Sequence, residues 1–335
     1  MGTETLLLKS TVFLHHMNKN TIAIVAYNKP DLLYLYLEQI FSEPTIEDYQ
    51  IQIHTEEGYD EEQNKVLAFY RGKFPTVDIA QIVKPKTHCP LAGFHNILST
   101  YLYVAEEERA GDFAIIGEED MIPTKDYVRF NKYIYDNYLK KYPRIMGAAH
   151  KRRPEAEKEG DPELLMGDFQ CTSLSVIATD TINKYLRPTL SQPSLYTNPH
   201  FFYSLNFPLS RIAPNDHTHH DGAIERIMDS NNLFVLKPDQ SRSMHVGLSG
   251  VFCKGKPPQG RFEERVEQWR ELLKDGDKLR SLSTLPEDLV VTDPEGPEWE
   301  ELRLDTSRDK CKASSWWYDH HNQFKEYIDT VNSHK

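Results

Sequence analysis

Apolar, β-rich runs recur along the first half of this chain, and segments with helical spacing lie between them. Residues 21–26, 49–54, 77–83 and 113–116 read as strands, while 32–41, 61–70 and 94–108 carry apolar side chains at helical intervals. Such alternation commits a chain to an α/β sheet, because joining two parallel strands requires a crossover long enough to cover one face of the sheet. The first run from Ile22 onward and the fourth run are continuously apolar, as strands buried on both faces are. The run at 49–54 instead alternates with period two. The expected fold is therefore α/β with a mixed, mainly parallel sheet. Further strands are expected at 144–149, 171–178 and 233–236, and helices at 127–138, 180–186, 220–229, 262–274 and 316–331. Asp31 stands where an N-cap would start the first helix. Residues 188–214, rich in Pro, Asn and aromatic residues, read as an irregular but ordered segment near a site. Residues 151–162 read as an exposed loop.

With 335 residues the chain can form one large domain or two ordinary ones. A formal charge of −12 opposes non-specific binding to nucleic acid or anionic membrane, both of which favour basic surfaces. The basic clusters at 150–153 and 308–312 read as solvated loops. Cys89, Cys171, Cys253 and Cys311 are scattered and form no CxxC pair, so neither a structural zinc nor a disulfide-dense scaffold is indicated. No apolar run approaches the roughly 20 residues of a membrane span. A cytoplasmic protein is the expectation, and a trimmed luminal protein would have the same composition.

Chemistry-bearing residues gather where strands end. The fourth strand stops at Glu118, Glu119 and Asp120, three carboxylates placed where open α/β sheets bind ligands. Oxygen ligands of this kind suit a hard divalent ion that also holds a phosphate. Ala26, Tyr27 and Asn28 follow the first strand, where Pro30 stiffens the turn. Glu56 and Glu57 follow the second, where a carboxylate can accept hydrogen bonds from a ribose or base. Downstream, His217, His219 and His220 lack the spacing of a helical zinc pair. Asp221 heads a helix-like segment and suits a general base. His245 sits near a glycine after a short strand, where an imidazole could complete a metal shell.

Taken together, IAIVAYNKPDLL, HTEEG, FAIIGEEDMIPTKDYVRF, HHDGAIERIM and MHVGLSG resemble the GT-A-fold glycosyltransferases. The likeness is nearest the inverting enzymes related to N-acetylglucosaminyltransferase I and the family 2-like transferases. It spans about residues 20–252, and the acidic segment is its most specific part. The resemblance implies a Rossmann-like catalytic domain over 18–252, with 253–335 as a C-terminal extension serving acceptor recognition or assembly. It also implies a metal-dependent, inverting transfer of a hexosyl or N-acetylhexosaminyl group from a UDP-linked sugar. On that reading Asp120 and His245 bind Mn²⁺ or Mg²⁺, and Asp221 is the catalytic base. Ala26, Tyr27, Asn28, Glu56, Glu57, Glu118 and Glu119 bind the donor. Glu118 replaces the first aspartate as the EDD pattern allows, while Glu119 departs from the more usual middle aspartate. The implied acceptor is a glycan, protein or small molecule; Tyr196, Phe201, Phe202, Tyr203 and Phe207 read either as a stacking wall for a sugar ring or base or as core, where aromatic residues bury the most area. A hydroxylated DNA base is disfavoured by the net charge, though Lys151, Arg152 and Arg153 could line a local groove. The rival readings are a non-catalytic nucleotide-binding α/β protein and a nucleotidyltransferase. The latter needs a Gly-rich basic loop after the first strand, which Tyr27–Pro30 is not.

Overall fold

The computed structural model describes residues 19–86, 93–106, 110–149, 163–167, 174–207, 220–238, 242–246, 257–274, 303–305 and 326–333. In chain order the first elements are β1 (Asn20–Val25), α1 (Pro30–Ile40), β2 (Tyr49–Glu56), α2 (Glu62–Lys73), β3 (Asp78–Lys84) and α3 (Phe94–Val104). Then come β4 (Phe113–Glu118), β5 (Met121–Pro123), α4 (Tyr127–Ile134), β6 (Ile145–Ala149), β7 (Glu163–Gly167) and β8 (Leu174–Ala178). Four short helices follow: α5 (Thr179–Thr181), α6 (Arg187–Leu190), α7 (Pro193–Thr197) and α8 (Pro199–Asn206). The remaining elements are α9 (His220–Asn231), β9 (Phe234–Pro238), β10 (Ser243–His245), α10 (Phe262–Lys274) and β11 (Arg303–Asp305).

Nine strands form one sheet in the order β11-β7-β9-β6-β8-β4-β1-β2-β3. The β4-β1-β2-β3 half is wholly parallel, and β8 runs antiparallel to both β4 and β6. This is the expected mixed, mainly parallel, Rossmann-like α/β architecture. Alternate residues of each central strand serve opposite layers. Ile22 and Ile24 of β1 pack with Leu33, Leu37 and Ile40 of α1 and with Val66 and Leu67 of α2. Ala23 and Val25 face the other way, toward Ile97 and Leu98 of α3 and Ile224 and Ile227 of α9. A third cluster joins Leu32 and Leu35 of α1 to Ile122 of β5, Met244 of β10 and Trp269 of α10.

Gly117 sits where β4 meets α1. A Cβ there would lie 2.3 Å from the hydroxyl of Tyr36, a fully enclosed side chain of α1. Gly117→Ala is therefore expected to cost about 1–3 kcal/mol through overpacking. Adding Tyr36→Phe, which removes the clashing oxygen, should recover part of that loss in urea denaturation.

Several expectations need correction. Asp31 is not an N-cap: Lys29 holds that position without a side-chain cap bond, and Asp31 lies in the first turn behind Pro30. α3 ends at Val104, not at residue 108. Residues 188–206 are not irregular but helical in short pieces, with Asn198 capping α8 by accepting from the Phe201 amide at 3.3 Å. The aromatic wall divides, since Phe202 and Tyr203 are core while Phe201 is 58% exposed. Residues 150–162 and Cys89, Cys171, Cys253 and Cys311 lie outside the described residues.

Candidate active site

The ends of β1, β2, β3 and β4 lie in one row, because register pairs Val25 with both His54 and Glu118, and Glu56 with Lys84. From β1 the chain runs outward through β2 and β3, then returns to place β4 on the other side of β1. That reversal is the switch point at which open α/β sheets bind ligands. The loop Ala26–Lys29 and the acidic triplet face each other across it.

Backbone pairing holds both lips of the crevice. The Ala26 amide donates to the His54 carbonyl at 2.9 Å, and the Glu119 amide donates to the Val25 carbonyl at 2.9 Å. Beyond the triplet, Met121–Pro123 forms a strand that pairs antiparallel with β10 so that Met121 faces His245. Three residues give no readable period, and the partner strand lies more than a hundred residues away. The Val246 amide donates to the Asp120 carbonyl at 2.8 Å. The backbone of the histidine-bearing segment thus lies beside the acidic motif, while the His245 side chain is outside the described ones.

The three carboxylates serve different partners. Glu119 turns inward and is 6% exposed, accepting from the Asn28 amide at 3.2 Å and from Gln63 Nε2 at 3.5 Å. Burial pushes its pKa up to about 7, against the nearby Lys29 charge and the Tyr27 and Asn28 amides, with Asp120 adding to the rise. Asp120 Oδ2 meets Lys29 Nζ at 2.5 Å. Burial by itself would lower the Lys29 pKa, but the Asp120, Glu119 and Glu118 charges hold it above its usual value. Glu118 lies toward α9, its Oε1 4.0 Å from His220 Nε2, and that same nitrogen is 3.2 Å from Asp221 Oδ1. α9 is anchored by Ala223, Ile224, Ile227 and Met228 in the second-face core, which fixes Asp221 beside the end of β4.

The fold gathers Asp120, Glu118 and Asp221, all three pointed to by the sequence, and adds Lys29 and Gln63 to them. Lys29 was legible only as part of the loop, and Gln63 had no signal because its partner lies 56 residues away. His220, one of three histidines with poor zinc spacing, lies between Glu118 and Asp221, 4.0 Å from the first and 3.2 Å from the second. His217 and His219 lie outside the described residues.

On the β2 side, Glu56 Oε1 is 3.6 Å from His95 Nδ1 at the start of α3. Glu57 is exposed and accepts from the Lys86 amide at 3.4 Å, so it faces the end of β3 rather than the triplet. Tyr27 is half-buried, and its carbonyl accepts from the Asp60 amide at 2.9 Å. Behind Glu56, Lys84 Nζ donates to the Asn96 carbonyl at 2.8 Å and to Thr100 Oγ1 at 2.7 Å. Burial lowers the Lys84 pKa to about 7 despite the Glu56 charge. An amine depressed in the fold binds a proton only in the unfolded chain between that value and its unfolded pKa, roughly 10.4, so stability must rise with pH in this window. Wild-type protein should gain stability from about pH 7 to about 9.5, below tyrosine ionisation. Lys84→Met should flatten that rise in denaturant titrations run across the same pH series.

Hard oxygen donors at Asp120 and Glu118 suit an ion that takes one or two carboxylates and completes its shell with phosphate oxygens. The Lys29 ammonium on Asp120 marks this as a place where the fold already puts positive charge. Among the described residues no group of three or more His, Cys, Asp or Glu side chains converges to hold an ion by itself. The residues thus fit a metal shared with a phosphorylated ligand. No helix among the described residues is long and apolar enough to cross a membrane.

No protein-family model matches the chain, and no curated protein matches it. Among solved structures it is similar to a mannosyltransferase from Pyrobaculum calidifontis in complex with GDP-Man and Mn²⁺, with 10% identity and a TM-score of 0.38. The match covers 62% of this chain and 51% of that one, so the chain spans about half the length of the structure it matches.

Proposed function

We propose that this protein is a metal-dependent glycosyltransferase that moves a sugar from a nucleoside diphosphate, UDP-linked by resemblance, to an acceptor hydroxyl with inversion. The observation that carries this reading is the convergence of Asp120, Lys29, Glu118 and Asp221 at the switch point of the sheet. Asp120, with Glu118 beside it and His245 on the adjoining strand, would hold Mn²⁺ or Mg²⁺ against the donor diphosphate. Such an ion supplies charge neutralisation for the departing nucleoside diphosphate. Lys29 offers a second positive charge to the same oxygens. Asp221 takes the proton of the acceptor hydroxyl as that oxygen forms its bond to the anomeric carbon and the bond to the diphosphate breaks. His220, in contact with Asp221, orients the carboxylate. Glu119 holds the Asn28 amide and so sets the shape of the donor loop, while Ala26, Tyr27, Glu56 and Glu57 line the base and ribose end.

A donor screen with mass-spectrometric detection of released nucleoside diphosphate tests the reading. Release from one sugar nucleotide, dependent on Mn²⁺ or Mg²⁺ and on an added acceptor, is the expected result. No release from any donor under either metal would favour the non-catalytic nucleotide-binding alternative.

A further inference from the structure

The sheet ends at β3, and among the described residues no strand pairs with its outer side. The Glu57 amide donates to the Lys84 carbonyl at 2.9 Å, so the backbone groups of Lys84 turn toward β2. Alternate residues of a parallel strand turn the same way, so Asp78, Ala80 and Ile82 also face β2. Ile79, Gln81 and Val83 therefore present their N–H and C=O groups outward. Open edges are commonly blunted by a lysine or proline within the strand. From Ile79 to Val83 this edge carries neither, and Val83 is 47% exposed. Its outer groups form a template for another strand.

The edge itself selects its mate. Pro85, the next outward position, has no N–H, and the Ile79 carbonyl already accepts from Arg71 Nε at 3.0 Å. An antiparallel copy of β3 centred on Ile82 sets these two residues opposite each other, so the residue lacking a donor meets the carbonyl that needs none. Gln81 of each copy then exchanges both backbone bonds with Val83 of the other. Ile82 meets Ile82 in a non-hydrogen-bonded pair, where facing side chains come closest. Asp78 lies opposite Lys86, both exposed, and opposite charges so placed attract. Gln50 Nε2 occupies the other side of that carboxylate, Oδ2, at 2.8 Å. Centring the pair on Gln81 instead sets Asp78 against Lys84, whose Nζ is turned inward to the Asn96 carbonyl at 2.8 Å and Thr100 Oγ1 at 2.7 Å. It also aims the Val83 amide at the Ile79 carbonyl that Arg71 occupies.

We infer that the protein forms a two-fold homodimer through this edge, β3 against β3, joining the two nine-stranded sheets into one. The contact is self-complementary, as a two-fold interface must be, and main-chain pairing at an open sheet edge is a general mode of strand recognition. Because the mated strands are antiparallel, the two crevices open in opposite directions and each copy keeps its own site.

Sedimentation velocity on the full chain over a concentration series tests this, with a species of twice the chain mass as the expected result. Hydrogen exchange on the same samples should protect the Gln81 and Val83 amides as the dimer forms, while the Ile82 amide, which faces β2, stays protected throughout. Ile82→Lys sets like charges opposite each other at the two-fold and should raise the dimer dissociation constant about tenfold or more. That side chain is half-buried, so the exposed Asp78 and Lys86 supply a second test independent of its packing. Asp78→Lys or Lys86→Asp alone should weaken the dimer about tenfold, and the two together should restore it. A wild-type chain that stays monomeric at every concentration overturns the inference and leaves the edge to a strand of another protein. A dimer that all three single substitutions leave unchanged overturns it too, because the contact then lies on another face. Weakening by each charge reversal without recovery in the double variant overturns the pairing of Asp78 with Lys86, and the register with it.

Discussion

Asp221→Asn is expected to lower kcat by about 10²- to 10⁴-fold, the range that a positioned general base supplies, while donor affinity stays at the wild-type level. The amide keeps the shape of the carboxylate and the packing of α9, whose anchor is Ala223, Ile224, Ile227 and Met228. It cannot accept the hydroxyl proton. Asp120→Asn should separate cleanly from it. That change removes the charge facing Lys29 at 2.5 Å and the carboxylate for the metal, so metal-dependent donor binding falls before any chemistry. Calorimetry with the donor and steady-state rates on both variants check this. Retained turnover in Asp221→Asn would remove the base assignment, and unchanged donor affinity in Asp120→Asn would remove the metal role.

The contrast between these carboxylates shows what a sequence can and cannot carry. The strand beneath the triplet was readable because a doubly buried strand is continuously apolar, and Phe113–Ile116 is. The triplet's place at the strand end followed from that run alone. Which carboxylate faces the crevice did not follow, because successive residues leaving a strand point to opposite sides. Glu119 therefore goes inward to Asn28 and Gln63 while Asp120 meets Lys29. β5 and β10 were missed for a related reason. Each is three residues long and is specified by its partner rather than by its own period. The short helices α6 to α8 were missed because each carries a proline in its first two positions, Pro188, Pro193 and Pro199, where proline is tolerated and starts a helix instead of breaking one.

Trp269→Ala is expected to destabilise the whole described fold by about 3–5 kcal/mol, the usual cost of deleting a large buried aromatic side chain. Trp269 is 2% exposed and packs with Leu32 and Leu35 of α1, and its indole N–H donates to Asp31 Oδ2 at 2.7 Å. Removing the ring opens a cavity and strips a buried carboxylate of a donor, leaving Arg265 at 3.5 Å to compensate. Trp269→Phe keeps most of the apolar surface and loses the hydrogen bond, so its cost should be about 1–3 kcal/mol. Where that helix belongs decides how the loss appears. An independent extension over 253–335 would melt in its own transition and leave the sheet's stability unchanged. A helix that covers α1 must lower the single cooperative transition reported by the sheet, since α1 also packs Leu33, Leu37 and Ile40 against β1. Two further facts favour the second outcome: β11 pairs with β7 in the main sheet, and Ile328 is buried in the first-face core. Urea denaturation followed by far-ultraviolet circular dichroism distinguishes the two. One shifted transition places α10 in the same cooperative unit as the sheet, and an unshifted main transition after loss of a minor one places it outside.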